Sequence, residues 1–152
     1  EVGVYLPETS NVYDYIRNDV RSTLVEPSKK AIRQHFPGKT NIELHPVAVY
    51  DRNGEVELVE RNASSFIGEE SASPAIINDG YEVKPEDRFT VPAVTFDKID
   101  DGTIDLLSID IEGGEWFVLK HMVSRPGVIS VETHGAIYIN PHLDRILGWM
   151  HE

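Results

Sequence analysis

Acidic side chains and one histidine follow two strongly apolar segments in the second half of the chain. Asp110 and Glu112 come directly after the first segment, and Glu132 and His134 come after the second. Alternation along an extended chain puts Asp110 and Glu112 on one side, where two carboxylates repel unless a proton, a cation or a hydrogen-bond donor intervenes. An imidazole can accept a proton near neutral pH. We therefore predict His134 as a general base, with Asp110 as the alternative.

Two positions near the start of the chain have the spacing of a cofactor site. Gly3 follows a strand-like start, and a glycine there lets the backbone approach a cofactor closely. Glu26 closes the next apolar strand, and an acidic residue about 20 positions after such a glycine accepts hydrogen bonds from ribose hydroxyls in dinucleotide-binding folds. An adenosyl cofactor offers the same ribose diol. Glu26 fits a plain helix cap equally well.

Strand-like and helix-like stretches alternate along the chain, as in a parallel sheet covered by helices. We predict one domain over residues 1–152, with a doubly wound α/β fold, a mainly parallel sheet and helices on both faces. Ligands of such sheets bind beyond the carboxyl ends of the strands. The predicted strands are 1–5, 22–25, 42–50, 55–59, 89–96, 104–109 and 127–131. The predicted helices are 10–19, 29–36, 115–123 and 141–150.

Two further expectations concern the connections. Strand 55–59 is expected to pair with strand 42–50 as a hairpin, because Asp51–Gly54 has the composition of a turn. Residues 62–88 are rich in Ser, Gly, Asp, Glu and Pro without a clear period, and we predict a long loop or insertion there. Glu115 opens the predicted helix 115–123 and fits either a helix-start charge or a ligand contact.

Composition limits the classes of partner. The chain has 14 basic and 26 acidic residues, a net charge of −12, which repels nucleic-acid phosphates and anionic lipid. Its densest basic stretch, Lys29, Lys30 and Arg33, is typical of a solvated helix face. We therefore expect neither a nucleic acid nor a membrane as partner. The absence of cysteine excludes disulfides and thiolate metal sites and is compatible with a reducing compartment, so we expect a cytoplasmic protein.

Four segments together resemble the FkbM-like methyltransferases, a branch of the Rossmann-type S-adenosylmethionine enzymes. The strongest match is Ile-Asp-Leu-Leu-Ser-Ile-Asp-Ile-Glu-Gly-Gly-Glu at 104–115, followed by Val-Ile-Ser-Val-Glu-Thr-His at 128–134. Residues 24–28 and 47–54 are similar to the family's second and third strand motifs. The resemblance implies S-adenosylmethionine as cofactor and O-methylation of a hydroxyl on a saccharide or another small-molecule acceptor. We expect no metal.

The resemblance also assigns roles to residues of this chain. Gly3 and its neighbours would hold the methionine part of the cofactor, Glu26 the ribose hydroxyls, and the stretch at Ala48 the adenine. Asp110 and Glu112 would face the sulfonium and the acceptor. The expected cofactor-binding residues are thus Glu1, Gly3, Tyr5, Glu26, Ala48, Asp110 and Glu112.

The sequence departs from the family pattern, and two alternatives stay open, one from the density of carboxylates and one from Pro7. Pro7 stands near a usual second glycine, and Ser108 stands where a lysine is common. A complete enzyme of this class adds two strands after the last helix, so we expect a fragment that lacks those edge strands. One alternative is a metal-dependent hydrolase with hard ligands at Asp110, Glu112, Glu132 and His134. The other is a non-catalytic α/β binding module in which Pro7 has spoiled the cofactor loop.

Overall fold

The computed structural model describes residues 1–6, 9–28, 38–70 and 72–151. The architecture is mixed α/β, with strands in several sheets and, in these ranges, four α-helices. The strands are β1 (Ser22–Val25), β2 (Ile42–His45), β3 (Ala48–Val49), β4 (Gly54–Val59), β5 (Phe66–Ile67), β6 (Arg88–Val94), β7 (Leu106–Ile109) and β8 (Val128–Val131). The helices are α1 (Tyr13–Arg17), α2 (Pro74–Asp79), α3 (Glu115–Lys120) and α4 (Leu143–Met150). The predicted helix 29–36 with its basic residues, and Pro7, lie outside the described residues.

Two parallel strand pairs meet at Val2. β1 pairs with β2, β7 pairs with β8, and Val2 forms single parallel bridges to Val25 and to Ile109. The Val2 amide donates to the Ser108 carbonyl at 2.9 Å, and the Asp110 amide donates to the Val2 carbonyl at 3.0 Å. The predicted strand 1–5 is thus reduced to one bridging residue. The carboxyl ends of β1 and β7 lie beside each other, because Val25 and Ile109 flank the same residue.

The remaining strands form a second sheet in the order β3-β6-β4-β5. β6 is parallel to β3 and antiparallel to β4, so it lies between them. The predicted hairpin of 42–50 with 55–59 is therefore wrong. The single strand predicted over 42–50 is also wrong, because it divides at Pro46 into β2 and β3. Proline has no backbone N–H to donate to a strand ladder, which favours a break there.

Residues 62–88 contain regular elements, contrary to the predicted loop. A 3-10 turn (Asn62–Ser64), β5, α2 and a second 3-10 turn (Pro85–Asp87) follow one another. The ends of α2 have local causes: the Ser73 hydroxyl accepts from the Ile76 amide, and Gly80 ends the helix in a left-handed conformation. These elements have two to six residues, too few for a hydrophobic period to emerge.

Neighbouring residues of β1 pack against different helices. Leu24 is buried with Ile16 of α1, whereas Val25 is buried in a cluster with Val118 of α3 and Ile146 of α4. Successive side chains of a strand point to opposite faces, so these helices cover different faces of the parallel strands. Within the described ranges, no helix has the length and apolar character required to cross a membrane.

Candidate active site

A cavity of about 190 Å³ lies at the carboxyl ends of β1 and β7. Its walls come from the first residues of the chain, from the end of β1, from β3 to β5 and from the loop after β7. All of the residues predicted to bind a cofactor line it: Glu1, Gly3, Tyr5, Glu26, Ala48, Asp110 and Glu112. Their role in cofactor binding stays a prediction.

A larger cavity of about 530 Å³ lies elsewhere, along the opposite ends of the same strands. Ser22 and Leu106, the first residues of β1 and β7, line it. Of the predicted site residues it contains only Glu1. Open parallel sheets bind their ligands at the carboxyl ends of the strands. We therefore take the smaller cavity as the candidate site despite its size.

Two carboxylates at the polar end of the cavity accept hydrogen bonds from the protein. Glu26 accepts from the backbone amides of Val4 (3.1 Å) and Ser28 (2.8 Å). Glu1 accepts from the Ser10 hydroxyl at 2.5 Å and from the Asn11 amide at 2.8 Å. Burial raises the pKa of Glu26 to about 7 against these two hydrogen bonds. Both side chains are consequently held in place, with Glu26 titrating near neutral pH.

Apolar residues also line the cavity and form what we call its apolar wall. It consists of side chains from the β2–β3 connection and from β3, β4 and β5, namely Val47, Ala48, Val49, Leu58, Phe66 and Ile67. The break at Pro46 contributes to this wall, because the chain after it forms β3 in the second sheet. One polar end and one apolar wall are the arrangement common in small-molecule sites.

Gly3 and Tyr5 contribute through the shape of the first loop. Gly3 has a φ of +86°, and a Cβ at this position would lie 1.7 Å from the Asp110 carbonyl oxygen. The glycine is thus required by the approach of two backbone segments, whereas the sequence suggested an approach to a cofactor. The Tyr5 hydroxyl donates to the Asn62 side-chain oxygen at 3.3 Å, which connects the first loop to the 3-10 turn 62–64.

The loop after β7 is held by one buried carboxylate. Glu115 is completely buried and accepts from the amides of Ile111 (3.0 Å) and Gly113 (3.1 Å) and from the Asn140 side chain. Burial raises its pKa, and these hydrogen bonds work against that rise. Glu115 therefore supports the loop and does not line the cavity. Glu112, within this loop, has a left-handed backbone with φ of 58°, a conformation that costs a non-glycine residue about 1 kcal/mol.

Three carboxylates converge beside the cavity, and we name them the acidic cluster: Asp110, Glu112 and Glu132. One oxygen of each lies within 4.8 Å of the others. The register of β7 against β8, with Ile109 opposite Val131, brings Asp110 beside Glu132. Two full charges at this separation repel by on the order of 3 kcal/mol at an effective dielectric constant of about 20. Such a cluster requires protons or a cation.

Two oxygens of the acidic cluster are buried and lack a donor, while Asp110 is exposed. Oε2 of Glu112 and Oε2 of Glu132 are buried without a hydrogen-bond partner among the described residues. Burial and the other two carboxylates raise the pKa of Glu112 to about 8. Burial and Asp110 raise the pKa of Glu132 to about 7. The cluster thus keeps protons near neutral pH, in contrast to an ordinary surface carboxylate pair.

His134 lies outside the cavity. Its side chain is exposed, and Nδ1 is 2.8 Å from the Thr133 hydroxyl. The structure thus brings Asp110, but not His134, into the cavity wall. Sequence reasoning overlooked Tyr138 and Asn140, which are buried next to the loop after β7. The sequence offers no chemical pattern around Tyr138, and Asn140-Pro141 suggests only a turn.

The geometry above is accompanied by one match to known proteins. The family model described as the methyltransferase FkbM domain matches residues 1–152. No curated protein and no solved structure matches the chain. The family match extends over the complete sequence, including all the cavity-lining segments, and it confirms the resemblance seen in the motifs. The chain belongs to the FkbM methyltransferase domain family.

Proposed function

We propose that this chain is an S-adenosylmethionine-dependent methyltransferase that acts on a hydroxyl of a sugar or another small metabolite. The family supplies methyl transfer as the general activity. The observation that carries the cofactor assignment is the cavity at the strand ends, with Glu26 at its polar end and Ala48 in its apolar wall. The O-methyl specificity rests on the family resemblance of the sequence motifs.

We also propose that the parallel strands are the centre of a doubly wound sheet. The bridges of Val2 support an order β2-β1-Val2-β7-β8 with all members parallel. The packing of α1 on one face and of α3 and α4 on the other is in agreement. In this order the switch point lies between β1 and β7, where such folds bind their ligands and where the cavity lies.

The residues of the cavity fit an adenosyl cofactor with an amino-acid moiety. The oxygens of Glu26 each accept one amide hydrogen and keep a lone pair for a ribose hydroxyl. The carboxylates of Glu1 and Asp110 can accept from an ammonium group, and the wall at Ala48 suits a purine ring. When bound, the cofactor supplies a methyl group on a sulfonium. The chain's own residues hold the acceptor oxygen in line and remove its proton.

The family match favours methyl transfer over the alternative of a metal-dependent hydrolase. A non-catalytic binding module would share the fold and the family, so ligand binding and turnover distinguish it. S-adenosylhomocysteine is the suitable probe because it has the cofactor's adenosyl and amino-acid groups without the reactive methyl. A ligand stabilises only the protein that binds it, so thermal shift is a first measurement.

The decisive experiment is calorimetric titration of the wild type and Glu26→Ala with S-adenosylhomocysteine. The variant should bind more weakly by about 1.5–3 kcal/mol, the scale of hydrogen bonds to a charged group. Glu82→Ala, an exposed carboxylate outside the cavity, is the matched control and should bind like the wild type. Circular dichroism verifies that each variant is folded. A wild-type protein that gives no binding heat and no thermal shift would refute the proposal.

We propose His134 as the general base, with Asp110 as the alternative that its place in the cavity favours. His134→Ala should lower turnover by about 10²–10⁴, typical of a lost base, with S-adenosylhomocysteine affinity preserved. Asp110→Asn should weaken cofactor affinity and turnover together, because Asp110 lines the cavity. His151→Ala, at an exposed histidine after α4, is the control. Normal turnover of His134→Ala would transfer the role to Asp110.

A further inference from the structure

The acidic cluster contains an arrangement that methyl transfer does not require. Asp110 follows β7, Glu132 follows the adjacent β8, and Glu112 approaches from the loop between β7 and α3. Their oxygens lie within 4.8 Å of one another, a separation that lets one small ion contact all three. No cysteine is present, so the cluster offers oxygen ligands, which magnesium, manganese and calcium prefer.

Convergence of carboxylates alone is common on protein surfaces, but here a second observation points to a ligand. Tyr138 is 1% exposed, and its hydroxyl has no hydrogen-bond partner among the described residues. This hydroxyl lies 3.1 Å from the position that a Cβ on Gly113 would occupy, beside Glu112 in the chain. A buried tyrosine hydroxyl without a partner is rare, because its desolvation is not compensated.

Three buried polar groups therefore lack a hydrogen-bond partner among the described residues. Oε2 of Glu112 and Oε2 of Glu132 have no donor, and the Tyr138 hydroxyl has neither donor nor acceptor among the described residues. A hydrated cation would satisfy all of them, because the carboxylates bind the ion and its water can hydrogen-bond to the phenol. A proton shared between carboxylates would satisfy only one or two oxygens and leave the tyrosine unpaired.

We propose that the acidic cluster binds one hard divalent cation, Mg²⁺ or Mn²⁺, with Asp110, Glu112 and Glu132 as ligands. Tyr138 contacts the coordinated water. Because Asp110 and Glu112 also line the cavity, the open coordination positions of the ion face it. This assignment replaces the expectation that the protein holds no metal.

The first test uses Mn²⁺ alone, without cofactor, and follows the loss of the free-ion signal in electron paramagnetic resonance. The wild type should bind one equivalent, and Mg²⁺ should compete for it. Glu132→Gln keeps the side-chain shape and should weaken Mn²⁺ binding more than about 100-fold, beyond the effect of losing an outer partner. Glu82→Gln, an exposed carboxylate, is the matched control and should bind like the wild type.

A second variant preserves the test if Glu132→Gln does not fold. Tyr138→Phe removes only the hydroxyl and should weaken Mn²⁺ binding about tenfold, as the loss of an outer partner does. No saturable Mn²⁺ binding by the wild type, or equal binding by Glu132→Gln, would overturn the proposal. Unchanged affinity in Tyr138→Phe would overturn the part assigned to the tyrosine. S-adenosylhomocysteine binding in EDTA tests the cofactor separately, so each idea can fail alone.

Discussion

Two sets of carboxylates lie near the same edge of the parallel strands and differ in what surrounds them. Glu115 is buried, Glu26, Glu112 and Glu132 are half-buried, and Asp110 is exposed. Glu26 and Glu115 accept two hydrogen bonds each from backbone amides, and Glu115 accepts a third from Asn140. Glu112 and Glu132 each have a buried oxygen without a donor among the described residues. In the first set the protein itself supplies hydrogen-bond donors to each carboxylate, and we call this set complete. The acidic cluster is not complete in this sense.

This difference distinguishes carboxylates that stabilise loops from carboxylates that can bind a ligand. A buried carboxylate that accepts several amide hydrogens fixes the loops that donate them, and its desolvation is offset. A buried carboxylate without donors is costly, and such a cost is commonly found where a ligand completes the site. By this criterion Glu115 is a structural residue and the acidic cluster fits the proposed ion site. Glu26 combines a fixed position with lone pairs left for a ligand.

The largest expected effect concerns the close approach of Gly3, in the first loop, to the backbone of Asp110 in the acidic cluster. In Gly3→Ala, the new Cβ would lie 1.7 Å from the Asp110 carbonyl oxygen, so the first loop or the loop after β7 must move. We expect a loss of more than about 4 kcal/mol in the free energy of unfolding, or failure to fold. Gly80→Ala is the matched control, because Gly80 also has a positive φ (+62°) but nothing within 4 Å.

Gly80→Ala should lose only about 1 kcal/mol, the cost of a left-handed alanine. Urea denaturation of both variants measures the difference. Equal losses for the two variants would show that backbone conformation alone explains Gly3, and that the approach to Asp110 is unimportant for stability.

The next effect concerns Glu115, a carboxylate whose hydrogen-bond donors all come from the protein. Glu115→Ala removes the acceptor of three hydrogen bonds and leaves the amides of Ile111 and Gly113 without their partner. We expect a loss of about 3 kcal/mol in the free energy of unfolding. Glu115→Gln keeps one carbonyl oxygen for the amides and should lose about half as much. An alanine variant within about 0.5 kcal/mol of the wild type would contradict a structural role.

The smallest effect has the opposite sign and depends on pH. The pKa of Glu112 is raised from 4.5 to about 8 in the folded protein, so stability falls as pH rises from 4.5 through 8. Glu112→Gln removes this titration. The variant should match the wild type near pH 4.5 and exceed its free energy of unfolding above pH 8. The gain should be about 1 kcal/mol, well below the full shift because the side chain is partly exposed.

Urea denaturation at pH 5 and pH 9 in the presence of EDTA measures this gain without interference from bound metal. Glu82→Gln, at an exposed carboxylate, should show no pH-dependent gain. A destabilised Glu112→Gln at pH 9 would mean that the carboxylate has donors and belongs with the complete set.

The sequence predicted the parallel strands well and their surroundings less well. β1, β7 and β8 begin and end within two residues of the predictions, because each is rich in β-branched and other apolar residues. The break at Pro46 and the position of β6 between β3 and β4 were missed. Strand order depends on contacts between distant segments, and the alternation of a single strand carries no information on its neighbours.

The candidate site was also predicted only in part. The spacing of Gly3 and Glu26 predicted two residues that line one cavity. Alternation predicted that Asp110 and Glu112 lie on one side, but the arrival of Glu132 beside them depends on the register of β7 and β8. The exposure of His134 and the burial of Tyr138 result from the loop 132–140, whose sequence has no regular period.

The position of Val2 between Val25 and Ile109 has a consequence for the order of folding. The cavity exists only after the first residues enter between β1 and β7, and the hydrogen bond from Asn11 to Ser108 closes a separation of 97 residues. Long closures are slow, whereas the nearby β4 and β6 can pair early. We therefore expect the cavity to form late in refolding, so that a bound ligand slows unfolding and leaves the refolding rate unchanged.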